Sequence, residues 1–184
     1  MLYHVSAVSG ISVLKPQVST HGKAYVYAIR NLTTGLLFGT KHDDFDFMIL
    51  EEDGRTEVYE CYPDAFCTIF RGKRCSIYEI PEDDFVEGVT GWEPELVCGH
   101  EVTVEQEMLV EDLYEKLLEE QMAGNLVVHR YEDQMEYKKR ISEHIIDRLI
   151  RFEVLDREMS DVRFEKYYKN IIEALREIMD GHLL

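Results

Sequence analysis

The chain has 184 residues, 45% of them hydrophobic and 31% charged, a composition that suits a globular protein with a full core. Its formal net charge is −17, spread evenly: 8 basic against 16 acidic side chains in residues 1–100, and 12 against 21 in the remainder. Such a field disfavours duplex DNA or RNA as the main partner, although backbone amides and a few local cations could still hold a small anionic ligand.

Met1 to Ser6 reads as a short strand, entered without a charged region and apolar run of the export type. No apolar stretch reaches the length of a membrane span, so no membrane partner and a cytoplasmic location are expected. Gly10-Ile11, Val13-Leu14 and Lys15-Pro16 lead to the stretch Ser19–Phe38. There a turn is expected at Gly22, a strand over Ala24–Ala28, and a short helix capped by Asn31 with Leu32, Leu36 and Leu37 at helical spacing. An acidic loop, His42 to Asp46, follows. Phe47–Leu50 and Glu57–Tyr62 read as a hairpin about the turn signal Asp53-Gly54. Pro63-Asp64-Ala65 opens a loop or short helix, Arg71-Gly72-Lys73 a turn, and Cys75–Ile80 alternates as a strand. After an acidic, turn-rich segment, Glu95–Cys98 and Val102–Val104 read as strands, with Met108–Val110 extending the second.

From Glu111 the period becomes helical. Leu113 and Leu117 mark one helix, ended by Gly124-Asn125. Ile141, Ile145, Leu149 and Phe152 mark a second, and Phe164, Tyr168, Ile171, Leu175 and Ile178 a third. Segregated strands and helices give an α+β class, with a strand-rich domain over 1–110 and a helical segment over 111–184 packed on it. Cys61, Cys67, Cys75 and Cys98 lack C-x-x-C spacing and read as free thiols. The histidines show no paired ligand spacing, so no metal is expected. The cluster His42, Asp43, Asp44, Asp46 reads as a solvated loop or a weak cation site. Arg71, Lys73 and Arg74 read as a solvated turn or a phosphate contact.

Three polar residues sit oddly on strands: His4, Tyr27 and Glu95. Glu95 opens an apolar strand just after Trp92 and Pro94, and needs a partner or a solvated cleft. Tyr25 and Tyr27 share a strand face and can floor either a core or a pocket. The order Leu-Tyr-His-x-Ser, Gly-Ile-x-x-Leu-x-Pro, Gly-Lys-x-x-Val-Tyr-Ala and then Pro-Glu-Leu-Val resembles the ADP-ribosyltransferase superfamily. The closest branch carries a His-Tyr-Glu or His-Tyr-Asp triad, as in poly(ADP-ribose) polymerases and rifampin ADP-ribosyltransferases. The resemblance covers residues 1–110. Where family members carry Gly after the histidine, this chain has Val5.

The resemblance implies a split β-sheet domain binding NAD as substrate in a cleft between sheets. It also implies transfer of ADP-ribose to an acceptor that the residues do not name. Glu95 would stabilise the oxocarbenium-like sugar left when nicotinamide departs. Tyr27, helped by Tyr25, would stack on the cationic nicotinamide. His4 would hold a ribose hydroxyl, and the Val5 backbone and Ser6 hydroxyl the carboxamide. Two alternatives stay open: a catalytically silent module of this fold that binds a nucleotide or a protein, and an RNA 2′-phosphotransferase-like enzyme, against which the acidic charge counts.

Overall fold

A computed structural model of the chain describes residues 1–18, 23–42 and 45–133, together with the isolated helical positions His144, Ile146 and Lys166. The turn expected at Gly22, Asp43 and Asp44 of the acidic loop, and the two helices expected after residue 140 lie outside the described residues, those three positions apart. The described part is mixed α+β. Its strands are β1 (Leu2–Ser6), β2 (Val13–Leu14), β3 (Gln17–Val18), β4 (Ala24–Ile29), β5 (Phe47–Glu52), β6 (Arg55–Glu60), β7 (Cys75–Ile80), β8 (Val86–Glu87), β9 (Glu95–Cys98), β10 (Val102–Thr103), β11 (Gln106–Val110) and β12 (Leu126–His129). The helices are α1 (Leu32–Leu36), α2 (Ala65–Phe70) and α3 (Leu113–Met122), with a 3-10 turn at Tyr131–Asp133.

The main sheet runs β11-β7-β1-β4-β9-β8, with β3 also paired to β4. Two small sheets accompany it, β10 with β2 and the three strands β12-β6-β5. Pairing in the main sheet is antiparallel throughout. Local chemistry explains several of these elements. Asn31 caps α1 by accepting from the Thr33 and Thr34 amides. Asp53 and Gly54 both have positive φ, which is what a two-residue hairpin turn of this hand requires. Asp112 caps α3, and Gly124, at φ 82°, lets the chain leave it.

Two expectations about the later strands need correction. Met108–Val110 do not extend the Val102–Val104 strand: β10 pairs with β2, whereas β11 is a separate strand on β7. Leu126–His129, unassigned from the sequence, is a strand.

The described residues fall into two compact units. The first comprises Met1–His42, Leu50–Glu57 and Cys67–Val127, and so includes α3. One face of its sheet carries Leu2, Val26, Ala28, Tyr78, Ile80, Leu96 and Cys98, which pack on Leu14 and Val102. Burying this alternate set sets the register, because a slip of one residue would turn every one of these side chains outward. On the other face α1 lies close against β1 and β4. A Cβ on Gly35 would come within 2.9 Å of Ile29 Cγ2 and 3.4 Å of Val5 Cγ2.

The second unit takes in 45–49, 58–66 and 128–133 among the described residues, with the isolated positions His144, Ile146 and Lys166. Phe45, Phe47, Val58, Tyr59, Cys61 and Phe66 are buried there. The Tyr59 and His129 rings stack at 4.1 Å. Glu60, with no exposed surface, accepts from the Phe66 amide at 2.9 Å, the Tyr131 amide at 3.1 Å and Arg130 at 3.3 Å. Three donors around one carboxylate are what permits a charge to be buried.

Candidate functional site

The fold brings the three singled-out strands side by side. His4 is on β1, Tyr27 on β4 and Glu95 at the start of β9, and the sheet order places β1, β4 and β9 consecutively. The ladder between β1 and β4 is short: Tyr3↔Ile29 is their paired position. One residue further along, a side chain takes over, and His4 Nδ1 lies 2.8 Å from the Tyr27 carbonyl oxygen. A carbonyl can only accept, so Nδ1 carries the proton and Nε2 holds the lone pair of the neutral ring. Burial holds the His4 pKa below its ordinary value, and the bond to Tyr27 offsets this in part. The His4 ring also lies 6.2 Å from that of Tyr78, its cross-strand neighbour on β7.

The register sorts the remaining residues by face. Tyr3 pairs with Ile29, Ile29 with Glu95, and Tyr27 with Val97. Alternation therefore puts Tyr25, Tyr27, Glu95 and the Val5 side chain on the face that α1 covers in part. His4 and Ser6 emerge on the opposite face, with the Leu2–Ala28–Leu96 core. Tyr27 and Glu95 are diagonal neighbours on adjacent strands, and the Tyr25 and Tyr27 rings meet edge to face at 6.2 Å. His4 reaches this group through the Tyr27 backbone and does not share its face.

The other expected ligands are placed as follows. Val5, expected to contribute its backbone, has its side chain buried near Gly35 under α1. The Ser6 hydroxyl accepts from the Val8 amide at 3.1 Å, a local turn bond. In the basic turn, Arg71 lies 5.2 Å over the Tyr114 ring and Arg74 pairs with Glu111 at 3.0 Å. Arg30, just after β4, is shared between Glu82 and Glu87, both at 2.5 Å. A shallow open concavity of about 340 Å³ is lined by Glu87, Gly88, Gly91 and Glu93 and includes none of the expected site residues. Its carboxylates repel a dinucleotide phosphate.

Two polar residues that sequence reasoning passed over hold the segment after β1. The Tyr78 hydroxyl donates to the Val8 carbonyl at 2.7 Å and accepts from the Ile11 amide at 3.3 Å. Glu107 Oε1 accepts from the Gly10 amide at 2.8 Å, and hydrogen bonds of this kind keep the Glu107 pKa below the usual carboxylate value. A tyrosine within an apolar strand and a glutamate on a polar one gave no local signal of this pairing. Among the described residues no group of three or more His, Cys, Asp or Glu side chains is gathered to hold a metal ion. No helix among them is long and apolar enough to cross a membrane. No family model, curated protein or solved structure matches the chain.

Proposed function

We propose that the chain is an ADP-ribosyltransferase-like protein that binds NAD at the Tyr25–Tyr27–Glu95 face and transfers its ADP-ribose to an acceptor. The observation that carries this reading is the neighbouring order β1-β4-β9 with the ladder opening at His4 and Tyr27. Residues 4, 27 and 95 are far apart in the sequence, yet their strands are neighbours, and Tyr27 and Glu95 share one face of the sheet.

The roles follow from charge and shape. Glu95 supplies a fixed negative charge beside the ribose as positive charge develops at its anomeric carbon. Tyr27, braced edge-on by Tyr25, offers a π-face to the cationic nicotinamide. His4 acts as a positioning residue, because its ring bonds the Tyr27 carbonyl where β1 and β4 part.

The test is a calorimetric titration with NAD, paired with chromatographic detection of released nicotinamide. Glu95→Gln keeps shape but loses charge, and turnover should fall by about 10²–10³ with little change in affinity. Tyr27→Ala should weaken NAD binding by about 1–2 kcal/mol. A protein that binds no NAD refutes the proposal.

The second reading is a silent module of the same fold, favoured by the emergence of His4 and Glu95 on opposite sheet faces. Binding without nicotinamide release, unchanged by Glu95→Gln, would select it.

A further inference from the structure

The outer edge of the main sheet suggests a docking surface that is independent of the NAD reading. β11 is the terminal strand of the order β11-β7-β1-β4-β9-β8, and among the described residues its far edge pairs with no other strand. It is five residues long, and Gln106 to Leu109 are exposed. Met108 is 42% exposed and Leu109 62%, one on each face of the sheet. Edge strands are normally guarded by short length, by a bulge or by an outward charge. On β11 a bulge, with Glu105 and Gln106 both set against Glu79, lies at the start and leaves Glu107 to Val110 in regular register. The other edge, β8, has only two residues. On β11 the one charged side chain, Glu107, is turned back onto the Gly10 amide and the Tyr78 hydroxyl.

The backbone polarity of the edge can be assigned. The Glu105 amide bonds the Glu79 carbonyl at 2.9 Å, so Glu79 directs its main-chain groups toward β11. Gln106, opposite Glu79, and Met108 and Val110, two and four residues on, therefore face β7 with their own main-chain groups. Glu107 and Leu109 direct their N–H and C=O groups away from the sheet, where an added strand would bond them.

We propose that β11 accepts an extended, basic peptide by strand addition. Charge selects this occupant. Glu105 and Glu111, both exposed, flank the strand, Glu111 beside Arg74, and the chain as a whole carries a net charge of −17. A peptide alternating lysine with an apolar residue sets its ammonium groups beside these carboxylates and its apolar side chains beside Met108. A second copy of the chain is disfavoured by the same arithmetic. Antiparallel self-pairing centred on Glu107 sets that carboxylate opposite its own copy. Centred on Met108 it opposes Glu105 to Glu111, and centred on Leu109 it opposes Glu107 to Glu111. The net charge of −17 on each copy adds to the repulsion.

The probe is a fluorescein-labelled Lys-Val-Lys-Ile-Lys-Val amide, read by anisotropy against the full chain, with the Glu-Val-Glu-Ile-Glu-Val analogue as control. The basic peptide should bind and the acidic one should not, and affinity should fall as salt is raised. N-methylation at alternate peptide residues should abolish binding in one phase and spare it in the other, a pattern that non-specific charge attraction does not produce. Leu109→Pro removes an outward N–H while leaving the β7 ladder intact, and should weaken binding by about tenfold or more. Should that variant fail to fold, Glu105→Lys provides the second test, again with weaker binding of the basic peptide. Equal binding of the two peptides, or a folded Leu109→Pro variant that binds like the wild type, overturns the proposal. A concentration-dependent dimer in sedimentation that Leu109→Pro abolishes also overturns it, assigning the edge to a second copy.

Discussion

Gly39 is the position at which one added methyl group should report most directly on the packing between the end of α1, β7 and α3. It follows α1, is buried, and a Cβ built on it would lie 2.9 Å from Cys75 Sγ, 2.9 Å from Leu113 Cδ2 and 3.0 Å from Cys75 Cβ. Neither neighbour has room to retreat: Cys75 is 3% exposed on β7, and Leu113, fully buried, opens α3. Overpacking of this kind costs about 1–3 kcal/mol. The loss of chain entropy that glycine contributes to the unfolded state returns about 0.4–1 kcal/mol. Gly39→Ala should therefore destabilise by about 1–2 kcal/mol, a fall in Tm of about 2–8 °C for a chain of this size. The assay is thermal and urea unfolding, with Gly99→Ala as control, because nothing lies within 4 Å of a Cβ there and its φ is not positive. The double variant Gly39→Ala/Cys75→Ala removes the sulfur and should lose less than the sum of the two single changes. A Gly39→Ala protein as stable as the wild type, or a strictly additive double variant, would refute the reasoning.

Other expectations follow from individual contacts. Because burial lowers the His4 pKa, the unfolded chain takes up a proton first as pH falls. The His4 contribution to stability is thus present above the unfolded value near 6.5 and is lost as pH falls from there through the folded value. Urea midpoints at pH 7.5 and 5.5 should differ more for the wild type than for His4→Gln; an equal difference would contradict this. Tyr78→Phe removes the hydroxyl that bonds Val8 and Ile11, should cost about 1–3 kcal/mol, and should speed hydrogen exchange at the Ile11 amide. Unchanged exchange would show that the hydroxyl does not hold this segment. Glu60→Ala removes the carboxylate facing Phe66, Arg130 and Tyr131 and should cost about 3–5 kcal/mol, with Glu60→Gln intermediate in the same denaturation series. A Glu60→Gln protein less stable than Glu60→Ala would reverse the argument.

The sequence by itself determined the features that depend on a few neighbouring residues. Asn31 announced the start of α1 because an amide side chain can accept from the next turn's N–H groups. Asp53-Gly54 announced a hairpin because both positions must tolerate positive φ. Cys75–Ile80 and Glu95–Cys98 announced strands by composition and alternation, and His4, Tyr27 and Glu95 stood out as polar groups on such strands. Which strand pairs with which was decided only in three dimensions. β11 left β10 for β7, and Leu126–His129 became a strand, because a short apolar run takes its conformation from the partner it finds. The opening between β1 and β4, where a histidine nitrogen rather than a backbone amide meets the Tyr27 carbonyl, was likewise decided in three dimensions. The faces of the candidate site were settled in the same way. Alternation within each strand is local, but the registers Tyr3↔Ile29 and Tyr27↔Val97 join residues far apart in the chain. Only those registers set His4 on one side of the sheet and Glu95 on the other, because register is chosen by burying one whole face, a property of the assembled sheet and of no single segment.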